Sequence, residues 1–125
     1  MKTIKGNLIM EKDMTFNKDL KVEGNISGKD GERFNLKVHG DLNCRDLNCE
    51  DLNCDDLNCE DLNCENLDCL NLNCENLDCF NLNCRDLTFY AVAIAYKSFK
   101  CKTWKARREN HVIKCLDGKI EGETK

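Results

Sequence analysis

The sequence predicts an all-β chain wound as a parallel β-helix. Three observations carry that expectation: a five-residue unit repeated nine times without interruption, a Leu and a Cys two residues apart in every copy, and flanks in which apolar and polar residues alternate. At 125 residues there is room for one domain with one core, residues 1–125.

The repeat runs from Asp41 to Arg85 as DLNCR, DLNCE, DLNCD, DLNCE, DLNCE, NLDCL, NLNCE, NLDCF and NLNCR, and a tenth copy opens at Asp86-Leu87 before decaying. A five-residue period advances about 500° on an α-helix, so the leucines would spiral round the cylinder and share no stripe. In an extended segment Leu and Cys point to one side and the Asn or Asp between them to the other. The expected core is therefore a ladder of Leu42, Cys44, Leu47, Cys49, Leu52, Cys54, Leu57, Cys59, Leu62, Cys64, Leu67, Cys69, Leu72, Cys74, Leu77, Cys79, Leu82 and Cys84. The three-residue step from each Cys to the next Leu breaks the alternation, so the chain bends once per unit. Asp and Asn suit a bend because both tolerate turn geometry and bond nearby backbone. Stacked coils about 4.8 Å apart then satisfy the backbone donors and acceptors and share one interior.

These D/N-L-N/D-C-x units resemble the pentapeptide-repeat proteins. The resemblance covers Gly40 to Phe89. It implies a right-handed quadrilateral β-helix with four units, about 20 residues, per coil. In such a coil Leu42, Leu62 and Leu82 stack, as do Cys44, Cys64 and Cys84. One departure is visible. The family places a small residue two before its large central one, and here that position holds Arg45, Glu50, Asp55, Glu60 or Glu65, charges too costly to bury unpaired. The inward pair is thus Leu followed by Cys, large before small.

Residues 1–40 read as an N-terminal cap with irregular coils. Within them Leu20 to Gly28 and Phe34 to Gly40 alternate like half-buried strands, with a turn at Gly28-Lys29-Asp30-Gly31. The Val-Glu-Gly-Asn-Ile-x-Gly texture of Val22 to Gly28 resembles bactofilin-like, polymer-forming β-helices. Residues 41–89 are the pentapeptide repeats, and residues 90–125 a basic C-terminal coil and cap. There Tyr90 to Tyr96 is apolar on both faces, as in a strand covered on both sides. Phe99-Lys100-Cys101 and Trp104-Lys105-Ala106 carry the coil to about Arg108, and Ile113 to Gly118 closes it ahead of a polar tail.

Charge is strongly polarised. Between Gly40 and Leu87 there are 13 acids against Arg45 and Arg85, a net −11, whereas the rest of the chain carries +7. The N-terminus has no apolar signal-peptide core and no run approaches transmembrane length, which, with an odd count of 11 Cys, points to a cytoplasmic protein with reduced thiols. C-x₄-C repeated nine times fits no zinc pattern, and buried Cys serves as a small apolar residue. No metal or cofactor is expected.

Enzyme chemistry is not expected either. His39 and His111 are the only imidazoles, no G-x-S-x-G or phosphate-cradling loop occurs, and the repeat carboxylates present no unique pair. The expected role is a non-catalytic scaffold that docks an unknown protein partner or another copy. Its candidate interaction residues are the fifth-position Glu50, Asp55, Glu60, Glu65, Leu70, Glu75 and Phe80 and, in the basic cluster interleaved with Phe99 and Trp104, Lys100, Trp104, Arg107 and Arg108. Leu70 and Phe80, ten residues apart, would mark opposite faces of a four-sided coil and permit a lateral contact. Two alternatives differ in class. Carboxylates spaced along a rod imitate phosphates, as in pentapeptide-repeat proteins that bind DNA gyrase, and a basic end meeting an acidic body would build a filament. Direct nucleic-acid binding and membrane association are not favoured.

Overall fold

The computed structural model describes residues 1–124. The chain is a right-handed parallel β-helix of about seven turns, and its strands fall on three faces. Strands β1 (Lys2–Ile4), β2 (Leu8–Met10) and β3 (Met14–Phe16) form the first coil, and β4 (Leu20–Val22), β5 (Ile26–Gly28) and β6 (Leu36–Val38) the second. The repeats supply β7 (Leu42–Asn43), β8 (Leu47–Asn48) and β9 (Asp51–Asn53), then β10 (Asp56–Asn58) and β11 (Asp61–Asp68), then β12 (Asn71–Asn73) and β13 (Asn76–Asn83). Strands β11 and β13 each run round a corner. The sixth coil begins with β14 (Asp86–Phe89) and continues in β15 (Val92–Ala106), which turns into the seventh, completed by β16 (Val112–Cys115) and β17 (Ile120–Thr124). All pairings are parallel, for example β10 with β7 and β12, and β11 with β8, β9 and β13. The sides containing β7, β8 and β9 are called faces A, B and C.

The register corrects the expected cross-section. Leu57 aligns with Leu42 and Leu72, Leu62 with Leu47 and Leu77, and Leu67 with Leu52 and Leu82. The repeat region therefore advances by three units per coil, not four, and stacked partners such as Asp56 and Asn71 are 15 residues apart. Leu42, Leu62 and Leu82 accordingly lie on three different faces. The physical reason is that Leu and Cys both point inward from one side. Three such pairs, turned at one-residue corners, close a triangular section with every repeat Leu and Cys inside it. Every repeat Leu and Cys is at most 6% exposed, and no buried side chain among the described residues is polar or charged.

Each fifth residue stands at a corner, where its N–H donates to the corner carbonyl one coil back: Glu60 to Arg45, Glu75 to Glu60 and Leu70 to Asp55, all at 2.8 Å. From Asp41 to Asn81 the first-position side chains do not bond their own bend. They reach the adjacent coil, taking a backbone N–H in the early coils (Asp56 N to Asp41 Oδ1, 3.2 Å) and an amide in the later ones (Asn76 Nδ2 to Asp61 Oδ1, 2.9 Å).

The N-terminal flank is more regular than its sequence suggested. Lys2 aligns with Leu20 and Leu8 with Ile26, and the Asn7–Asn25 bond spans the same 18 residues, a coil made of six-residue sides. On every face the following step is longer, 21 or 22 residues, so that Asp13 and Asn35, bonded across it, are 22 residues apart. The lengthening comes from the loop at Lys29–Gly31, inserted at the B–C corner. That loop is entered through Gly28, where any Cβ would collide with the Glu32 carbonyl. At the other end the solenoid continues past Gly118, with Ile120 aligned to Phe99 and Thr124 to Trp104.

Coil six shows how three sides share one volume. Phe89 and Phe99 point inward from faces A and C and are fully buried, and opposite them face B contributes only Ala93 and Ala95. Two larger residues are offset by two smaller ones, as close packing requires. Tyr90 to Tyr96 is consequently not a strand covered on both sides: alanines fill the inside, while Val92, Ile94 and Tyr96 are left half-buried on the outside.

Candidate interaction surface

With the core closed, function falls to the outside, which consists of three faces and three corners. Each face is a shallow furrow floored by strand and walled by two columns of side chains. On face B the walls are Asp46, Asp61, Asn76 and Val92 on one side and Asn48, Asn63, Asp78 and Ile94 on the other, enclosing about 640 Å³. Face C holds about 610 Å³ and face A about 500 Å³ between equivalent columns.

The three-unit period distributes the acidic fifth positions over three corners. The A–B corner reads Arg45, Glu60, Glu75, Tyr90; the C–A corner reads Asp55, Leu70, Arg85, Lys102. The B–C corner carries Glu50 and Glu65, with Phe80, Tyr96 and Leu116 following the aligned Cys79, Ala95 and Cys115. No corner holds more than two consecutive acids, and Arg45 Nε sits 3.7 Å from Glu60 Oε2. The negative charge of Glu65 pushes the Glu50 carboxyl up from its ordinary range. Leu70 and Phe80 occupy neighbouring corners rather than opposite faces. Nor is Phe80 an isolated spot, since its ring meets Tyr96 edge-on at 5.3 Å.

The basic cluster also reads differently in space. Phe99 is fully buried, and Trp104 packs at 6.2 Å from the Phe89 ring and 5.9 Å from His111. Neither ring is free to stack on a base. Lys100 is exposed on face C, 3.9 Å from Glu121 Oε2. Arg107 is a staple: its Nη2 donates to the Cys74 carbonyl at 3.2 Å and its guanidinium lies 5.7 Å from the centre of the Tyr90 ring. Arg108 is exposed beside it. Nothing in the sequence pointed to a second staple, Arg33, whose Nη2 donates to Cys49 O at 2.8 Å and Asn63 Oδ1 at 3.1 Å.

The thiols form three columns inside the corners. Cys64 aligns with Cys49 and Cys79, the amide of Cys59 bonds the residue preceding Cys74, and Cys69 is hydrogen-bonded through its side chain to Cys84. Burial pushes the thiols of Cys44, Cys49, Cys54, Cys74 and Cys79 up to about 12 and that of Cys101 to about 11. Burial raises Cys59 and Cys64 further, and the bond to Cys84 followed by burial does so for Cys69. Such thiols are neutral and unreactive at ordinary pH. Among the described residues no group of three or more His, Cys, Asp or Glu is arranged to hold a metal ion, and no helix is long and apolar enough to cross a membrane.

Several exposed or half-buried apolar side chains gather into one area. On face B and its edges, Val92, Ile94 and Tyr96 of coil six adjoin Phe80 of coil five and Val112 and Leu116 of coil seven, the last three 41%, 39% and 55% exposed. Large residues at every second position of Val92-Ala93-Ile94-Ala95-Tyr96, with alanines between, are its signal in the sequence. No family model, curated protein or solved structure matches the chain.

Proposed function

We propose that the chain is a non-catalytic structural and protein-interaction scaffold of the pentapeptide-repeat type. The observation that carries this reading is uniformity: successive coils repeat the same columns outside, and the inside is apolar throughout the described residues. Acid–base catalysis needs a group set apart from its neighbours in geometry and titration. Here the repeat carboxylates occupy equivalent positions of like units, the raised carboxyl of Glu50 owes its elevation mainly to its counterpart Glu65 at the same corner one coil on, and the His111 ring is taken up with Phe89 and Trp104. A solenoid of this kind serves by presenting a stiff, extended surface. Acidic runs no longer than two at the corners, and no longer than the three of Asp19, Asp41 and Asp56 in the first-position column of face A, weigh against imitation of a DNA backbone. The test is a panel of hydrolase and transferase substrates together with thermal melts with and without chelator. The expectation is no turnover and an unchanged melt. Reproducible turnover, or loss of the fold on chelation, would sink the reading.

A further inference from the structure

The apolar area on face B is laid out as a grid. Register aligns Asn76, Val92 and Val112 in one column and Asp78, Ile94 and Lys114 in the next. Phe80, Tyr96 and Leu116 stand at the corner end of the same three rows. Down the middle column the character runs from acid, through aliphatic, to base.

A two-fold axis lying along the coil-six row turns that gradient on itself. It leaves each column in place and exchanges row five of one copy with row seven of the other. Asp78 then meets Lys114 of the second copy, Phe80 meets Leu116, and Ile94 meets Ile94. An axis along the solenoid would instead oppose Asp78 to Asp78 and Lys114 to Lys114, two like-charge contacts that cost energy. Each chain offers the same patch, the requirement of an isologous contact.

Resting on the scaffold reading, we propose that face B of coils five to seven docks a second copy of this chain, the two solenoids antiparallel about the coil-six strand. Sedimentation equilibrium on the reduced full chain, from low micromolar to millimolar concentration, tests it. The expectation is a monomer–dimer equilibrium that salt weakens. Ile94→Lys, an outward change checked for an intact melt, is expected to raise the dissociation constant about tenfold or more. Lys114→Asp alone weakens the dimer, and Asp78→Lys combined with Lys114→Asp restores it. A strict monomer with a native melt overturns the docking but leaves the scaffold reading standing, whereas turnover by an intact dimer does the reverse. A dimer indifferent to Ile94→Lys, or unrescued by the double reversal, also overturns the proposal. So does a monomer that sediments with anionic vesicles, which would make a lipid surface the occupant.

Discussion

Raising the pH attacks this core through its thiols. Nine of them titrate higher in the fold than in the free amino acid, chiefly because burial disfavours the thiolate. In the unfolded chain a thiol ionises near 8.5. Below that value both states are protonated and the stability is fully present. Above it the unfolded chain sheds protons that the folded chain keeps until about 12, so stability falls as pH rises through that window. Each thiol contributes a slope of up to about 1.4 kcal/mol per pH unit, so nine acting together approach roughly 12 kcal/mol per unit. A domain stabilised by about 5–15 kcal/mol has little margin against such a slope, which places cooperative unfolding at about pH 10. The assay is far-ultraviolet circular dichroism against pH under a phosphine reductant, with thiolate absorbance recorded in parallel. The two signals are expected to change together and steeply. Thiolate absorbance that reaches most of its full amplitude from about pH 9 while the β signal persists would mean that the ladder cysteines titrate in the native state and the buried ladder is wrong.

Other perturbations read individual columns. Leu62→Ala removes a side chain held between Leu47 and Leu77 and only 2% exposed; it should cost about 2–5 kcal/mol in urea unfolding, and a shift within error would mean that Leu62 does not face inward. Asn76→Asp replaces the amide that donates to Asp61 Oδ1 with a like charge. A loss of about 1–2 kcal/mol, partly recovered at high salt, is expected, and a salt-independent change would argue against the ladder. Glu65→Gln should lower the titration midpoint of Glu50, followed by carboxyl carbon shifts, because Glu65 is the main cause of its elevation; an unmoved midpoint would mean that the two side chains do not share one corner.

The inward pairing was legible because side-chain direction in an extended segment alternates strictly, so Leu62 and Cys64 had to share a side. The number of sides was not. Whether a unit turns the chain by a quarter or a third of a revolution is decided at a one-residue corner occupied by Arg, Glu, Asp, Leu or Phe, none of which imposes an angle. That choice resets every column, and for this reason Leu70 and Phe80 moved from opposite faces to adjacent corners. The six-residue spacing of Leu8, Met14, Leu20 and Ile26 was present in the sequence, but the insertion at Lys29–Gly31 breaks it after Ile26. The outward aliphatics of β15 follow from a long-range cause, the volume that Phe89 and Phe99 occupy inside the same coil. Arg33 and Arg107 are equally non-local, since they reach carbonyls 16 and 33 residues away.

The coil period can be read directly from scalar couplings transmitted through backbone hydrogen bonds in isotope-labelled protein. The amides of Glu65, Leu70 and Glu75 should correlate with the carbonyls of Glu50, Asp55 and Glu60, each three repeat units back. A correlation between the Glu75 amide and the Asp55 carbonyl, four units back, would contradict the three-sided coil and every surface column built on it.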